Sequence, residues 1–180
     1  KQIYAGSSYT LAIDIDGNLW AWGSNGNGKL GTGDKERKST PVQITNGTKF
    51  VQAETGISSS FAIDEDGNLW SWGMRLDSQF FDDYAEEKLV PTKITTEQKF
   101  VKLVSTGLGI YLIDTDGYLW IRGSGYLSIE ASNDKTFQKV SEEVKFVDVS
   151  TSTLHTVAID TDGNIWEWGA RYNSMSVDGT

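Results

Sequence analysis

The chain has 180 residues, no cysteine, and 16 Lys and Arg against 25 Asp and Glu, a net charge of −9. These numbers exclude disulfide frameworks, Cys-ligated metals and thiol catalysis, and an acidic chain without a Lys/Arg cluster disfavours nucleic acid as a partner. With 38% apolar residues and no apolar run near the roughly 20 residues of a membrane-spanning helix, it reads as one folded domain with no membrane insertion.

Residues 1–5 carry the end of a strand pattern, and the first full motif follows. Leu11 to Gly23 reads LAIDIDGNLWAWG, and it recurs as FAIDEDGNLWSWG from Phe61, YLIDTDGYLWIRG from Tyr111 and VAIDTDGNIWEWG from Val157. The shared Trp falls at 20, 70, 120 and 166, so one supersecondary unit is repeated at periods of 50, 50 and 46. Within it, two alternating runs flank an Asp-Gly pair (Asp16-Gly17 in the first copy), which predicts a hairpin closed by a tight two-residue turn. Leu19 and Ala21 then point one way and Trp20 and Trp22 the other, so an indole pair lines one face of the strand.

A third run precedes the later hairpins, beginning at Lys49, Lys99 and Lys145, each followed by Phe-Val. A fourth follows them at Pro41–Ile44, Pro91–Ile94 and Phe137–Val140. Proline at the start of the fourth suits an edge strand, where a missing N–H does no harm. The prediction is all-β: β-propeller blades of four antiparallel strands, four repeats forming part of a propeller. The blades run approximately 1–44, 49–94, 99–140 and 145–180, and the fourth is expected to lack its outer strand. The third departs from the pattern, with Tyr118 in place of Asn and Arg122 in place of the second Trp.

Gly26-Asn-Gly-Lys-Leu-Gly31 matches the dinucleotide pattern G-x-G-x-x-G, but no helical stripe follows to present a helix N-terminus to a pyrophosphate. As a P-loop it fails at Leu30, which stands where Ser or Thr would bind Mg²⁺. The glycines are expected to let a loop fold back over its blade. The Asp-x-Asp-Gly turns resemble a calcium loop, yet Ala12 and Gly23 occupy ligand positions of an EF-hand. The sialidase Asp-box fails at Ile15, Glu65, Thr115 and Thr161. His155 is the only histidine and reads as structural. Paired carboxylates such as Asp82-Asp83 read as solvated surface. No catalytic, metal or cofactor site is predicted, and the chain is expected not to be an enzyme. Asn46-Gly-Thr48 is a glycosylation sequon in a host that uses them.

The run Asp-Gly-Asn-Leu-Trp-Ala-Trp-Gly-Ser-Asn, then Gly-Lys-Leu-Gly-Thr-Gly and Pro-Val, resembles the regulator of chromosome condensation repeat, nearly entire from Ala5 to Val42. That resemblance implies blades of a seven-bladed propeller, a little over half of one, and a His at position 155 that ties its strand down. Family members include a nucleotide-exchange factor for a small GTPase, ubiquitin-ligase modules and a secreted inhibitor of β-lactamases; nothing here matches the exchange factor's functional loops. The cysteine-free, acidic, Asn-Leu-Trp-rich style resembles bacterial members, which points to a secreted or cell-surface setting.

Strands specify the scaffold and unlike loops the partner. The sequence therefore predicts a protein-interaction scaffold that binds through unlike loops on one face. The candidate partner-binding residues are Phe80, Phe81, Asp82, Asp83 and Tyr84, with Arg122, Tyr126 and Tyr172 in the equivalent post-Trp-Gly segments. The alternatives are a lectin-like carbohydrate-binding propeller and a cell-surface spacer. A lectin should repeat its site blade by blade, which these loops do not. Four blades in an open arc leave Trp-lined faces bare, so the expected chain is part of a longer propeller, with self-association through exposed blade faces.

Overall fold

The computed structural model describes residues 1–44, 47–74, 87–106, 109–123, 137–152, 155–169 and, by backbone alone, 172–177. Every regular element among them is a strand, and the strands form four antiparallel sheets of four. The first runs in the order β1 (Gln2–Ala5), β2 (Tyr9–Ile13), β3 (Leu19–Gly23), β4 (Lys38–Gln43), and the second β5 (Phe50–Thr55), β6 (Ser59–Asp64), β7 (Leu69–Gly73), β8 (Lys88–Lys93). The third comprises β9 (Phe100–Ser105), β10 (Gly109–Asp114), β11 (Leu119–Gly123) and β12 (Gln138–Lys139). The fourth comprises β13 (Phe146–Thr151), β14 (His155–Asp160), β15 (Ile165–Gly169) and β16 (Tyr172–Val177). The all-β blade expectation holds. The blades group into two compact units, Lys1–Lys99 and Phe100–Thr180.

Two expectations need correction. The fourth blade does have an outer strand: β16 pairs with β15 through Trp166↔Val177, Glu167↔Ser176 and Gly169↔Tyr172. It begins almost directly after Gly169 and carries no proline, so a search for a distant Pro-led run passes over it. The hairpin turn is also longer than two residues. The last strand pair is Ile13↔Leu19, Gly17 N–H donates to Asp14 O (3.1 Å) and Asp14 N–H to Asn18 O (3.0 Å). This is the three-residue loop in which a turn is followed by a left-handed glycine, here Gly17 at φ 78°. The Asp that matters is therefore the first of the motif, at the position where a turn favours Asp, and not the one beside the glycine.

Within the first unit, one face of the first blade meets the indole face of the second. Leu11, Ile13, Leu19 and Ala21 are fully buried with Phe50, Ala53, Ala62 and Trp72, and Phe50 meets Trp70 edge-on at 5.8 Å. The second unit repeats the arrangement with Tyr111, Ile113, Leu119 and Ile121 against Phe146, Val149, Ala158 and Trp168, and Phe146 meets Trp166 edge-on at 6.1 Å. The predicted separation of Leu/Ala from Trp/Trp faces thus becomes two complementary halves of a seam: an aliphatic socket and an indole knob. A β-bulge at Val51, and its counterpart at Val147, turns the preceding Phe inward while the valine stays exposed.

Trp72 is 1% exposed in its seam, and truncating such a ring costs about 3–5 kcal/mol. Trp72→Ala is expected to lower the stability of the first unit by about 4 kcal/mol in urea unfolding followed by circular dichroism. A loss below about 1 kcal/mol would contradict the seam as the core.

Candidate functional site

Each hairpin turn is built on one carboxylate. Asp14 Oδ1 accepts from the backbone N–H of Asp16 and of Asn18, both at 2.9 Å, while Oδ2 accepts from Asn18 Nδ2 and Trp20 Nε1, again at 2.9 Å. Asp64 repeats the set with Asn68 and Trp70, and Asp160 with Asn164 and Trp166. Asp114 accepts from the N–H of Asp116 and Tyr118 and from Trp120 Nε1. Hydrogen bonds from the indole and from Asn18 hold the Asp14 carboxyl down at about 2, and Trp166 leads the same effect at Asp160, also about 2. At Asp64 burial pushes upward, and the bonds from Asn68 and Trp70 still bring it below the usual carboxylate range. These carboxylate oxygens face N–H donors, an arrangement unlike a cation site. Among the described residues no group of three or more His, Cys, Asp or Glu is placed to hold a metal.

The turn also reaches the following strand. Lys49 Nζ donates to Asn18 Oδ1 (2.7 Å), and Lys99 Nζ donates to Asn68 Oδ1. In the third blade Tyr118 replaces the Asn, and the Lys145 ammonium lies 5.2 Å from the Tyr118 ring centroid instead. The spacing Asp-x-x-x-Asn-x-Trp carries this cluster in three of the four copies. Attention to the Asp-Gly pair missed it.

The first-blade loop after Gly23 is fixed from inside. Asn25 is buried; its Nδ2 donates to Thr32 Oγ1 and to Asp34, and its Oδ1 accepts the Leu30 N–H at 2.8 Å. The loop folds back to Ser8 and Tyr9 of its own blade and also crosses to the second. Gly33 N–H donates to Leu89 O, and Lys29 O accepts from Ser60 Oγ (2.7 Å) and Trp72 Nε1 (2.9 Å). A Cβ at Gly28 would sit 2.4 Å from Leu89 Cδ2, and Gly28 has φ 71°, so the glycine serves close approach rather than a pyrophosphate. No helix follows it. Lys29 itself is buried; its ammonium donates to Ser8 Oγ and Ile57 O and lies 4.9 Å from the Tyr9 ring centroid, and burial pushes its pKa down.

Of the predicted partner-binding residues, Phe80, Phe81, Asp82, Asp83, Tyr84 and Tyr126 lie outside the described residues, as does Asn46 of the sequon. Arg122 sits on β11 with its guanidinium 5.3 Å from the Phe137 ring centroid. Tyr172 opens β16. His155 Nε2 lies 3.4 Å from Glu167 Oε2. A cleft of about 420 Å³ lies between β4 and β8, lined by Val42, Ile44, Phe50, Trp70, Val90 and Pro91 among others. No helix of the described residues is long and apolar enough to cross a membrane.

Sheets of four strands, with an aliphatic face packed on an indole face, define the chain as a protein of β-propeller blades. Two family models for the regulator of chromosome condensation (RCC1) repeat match residues 1–29 and 16–63. The human WBSCR16 structure is similar over 94% of this chain and 47% of its own, with a TM-score of 0.80 and 19% identity. Yeast RCC1 (Prp20), solved with Kap60, is similar over 93% of this chain and 42% of its own, with a TM-score of 0.76 and 24% identity. The ultraviolet-B receptor UVR8 of Arabidopsis thaliana is 46% identical over 44 residues, 24% of this chain and 10% of that protein. The chain therefore spans less than half of the propellers it resembles. Its first 63 residues are similar to the regulator of chromosome condensation repeat, and its fold is that of these propellers' blades.

The turn carboxylates make stability depend on pH in a defined direction. Asp14 and Asp160 titrate near 2 in the folded chain against an ordinary 3.8, so the unfolded chain binds protons first as the pH drops. Their contribution is complete above about pH 4 and fades as the pH falls towards about 2. The urea midpoint is expected to decline over that window, and Asp160→Asn to flatten the decline; a midpoint unchanged between pH 5 and pH 2 would refute the cluster's role.

Proposed function

We propose that this chain is a non-enzymatic protein-interaction scaffold that binds its partner through the unlike segments following the Trp strands. One observation carries this reading: the framework groups repeat from blade to blade, whereas residues 24–37, 74–87 and 124–137 share no common pattern. The framework aromatics are engaged internally. Trp20, Trp70, Trp120 and Trp166 donate to turn aspartates, and Trp72 and Trp168 are buried in seams. Those rings serve the framework, which supports a scaffold over a lectin. The complex of the yeast propeller with Kap60 supports the same reading, since that protein binds another protein.

The partner's anchor is assigned to Phe80, Phe81 and Tyr84, aromatic side chains in a run that also holds Asp82 and Asp83. The test is to identify the protein retained by the immobilised wild-type chain, then titrate it against a variant with alanine at all three positions. Binding is expected to weaken at least about tenfold with Tm within about 2 °C of wild type. Unchanged binding with a Tm drop of several degrees would assign these rings to the fold, and glycan-array binding above background would favour the lectin.

A further inference from the structure

We propose that the Lys29 ammonium, held between the first and second blades, is the docking point for a carboxylate of the partner. The inference deepens the scaffold reading and rests on it, because Lys29 belongs to residues 24–37, the first of the unlike segments that follow the Trp strands.

The seam accounts for the backbone of this residue but not for its charge. What the second blade takes from Lys29 is the carbonyl, which accepts from Ser60 Oγ and Trp72 Nε1 and which any residue would supply. The side chain donates to Ser8 Oγ (3.0 Å) and Ile57 O (3.3 Å), bonds that a neutral amide nitrogen makes in kind. An ammonium has a third proton, and among the described residues no oxygen takes it. Lys35, Lys38, Lys102 and Lys139 pair with Glu87, Asp34, Asp148 and Glu142. Lys29, at 7% exposure the one buried lysine among the described residues, has no such carboxylate in a chain with 25 Asp and Glu. Burial pushes its pKa down, with no carboxylate to pull it back. A buried charge without a counter-charge is costly, and groups perturbed in this way cluster at functional sites.

The surroundings specify the missing group. The Ser8 hydroxyl accepts from Lys29, and among the described residues it donates to nothing, so an incoming anion meets an N–H and an O–H side by side. Two oxygens of one carboxylate match that pair, in charge-assisted hydrogen bonds. One ammonium compensates one negative charge, whereas a phosphate dianion would add a second to a chain of net charge −9. Ile57, whose carbonyl also accepts from Lys29, is 59% exposed and offers an apolar surface beside the anion. The group that fits is a carboxylate with an apolar neighbour, from an Asp or Glu side chain or from a chain terminus.

The test follows the Lys29 resonance by NMR in the 180-residue chain carrying ¹³C at lysine Cε. The probes are N-acetyl-Leu-Glu-amide, its neutral counterpart N-acetyl-Leu-Gln-amide, and N-acetyl-Leu-Ala with a free carboxyl terminus. A carboxylate peptide is expected to shift Lys29 saturably and to raise its titration midpoint, since a bound anion favours the ammonium. The stronger of the two carboxylate peptides identifies the source of the group. The glutamine peptide should bind at least about tenfold more weakly than the glutamate peptide. Lys29→Gln should remove the difference between those two, read from backbone amide shifts at Ser8 and Ile57, with a urea unfolding curve within about 1 kcal/mol of wild type. Equal responses of the wild-type chain to the glutamate and glutamine peptides, or no response to either carboxylate peptide at millimolar concentration, would overturn the proposal. The alanine variant at Phe80, Phe81 and Tyr84 should keep the wild-type Lys29 response, so failure of the carboxylate site and failure of the aromatic anchor are read separately.

Discussion

The carboxylate that opens each hairpin turn is the constraint on which the blades depend. A single side chain, Asp14, Asp64, Asp114 or Asp160, ends one strand, shapes the turn and fixes the first residues of the next strand. By accepting the indole N–H of Trp20, Trp70, Trp120 or Trp166 it also sets the angle at which that ring leaves the sheet. In the two seams, that angle lets Trp70 and Trp166 meet Phe50 and Phe146 edge-on. At Asp14, Asp64 and Asp160 the same bonds that orient the ring favour the charged carboxylate. Local turn chemistry and ring packing within a blade are therefore one interaction seen at two scales.

The seams show how much sequence change that geometry tolerates. The first seam uses Tyr9 to reach the Ser60 hydroxyl. The third blade has Gly109 at that position and brings its phenol from Tyr111, two residues further along the same strand face. The period of two keeps the ring on the socket side, and its hydroxyl still meets the hydroxyl residue of the neighbouring blade. Burial pushes the Tyr111 phenol up to about 12 and the Tyr9 phenol higher still, so both remain neutral donors and acceptors across the physiological range. The third blade's other departures are absorbed in the same way. Tyr118 exchanges a lysine–amide bond for a lysine–ring contact, and Arg122 lies over Phe137 where another blade would place an indole.

Much of this was legible because it is periodic. Alternation assigned the strands, the period of the Trp assigned the blades, and the separation of Leu19 and Ala21 from Trp20 and Trp22 assigned the two faces. What escaped has two physical causes. The fourth outer strand, Tyr172–Val177, has no proline and no long segment before it, and its Asn and Ser residues give little apolar alternation to read. The turn hub was hidden because Asp-Gly is so strong a signal that the Asp two residues before it, whose role requires the Asn and Trp further on, drew no notice. The loop from Ser24 escaped differently. Its glycines were recognised as conformational, but the direction in which the loop travels is set by Leu89 and Trp72 of another blade, which no local pattern contains.

That loop belongs to the framework. Asn25 ties its two ends, Leu30 is buried beneath it, and Gly28 and Gly31 let its backbone lie on the second blade's outer strand and indole. Its polar groups are directed inward, so its composition is dictated by the seam it covers. The segments 74–87 and 124–137 contain no counterpart of Gly28-Lys29-Leu30-Gly31. The requirement that fixed the first loop is therefore absent from their sequences. Where packing does not dictate a residue, its identity is free to follow another demand, and the run Phe80-Phe81-Asp82-Asp83-Tyr84 sets three aromatic residues beside two carboxylates.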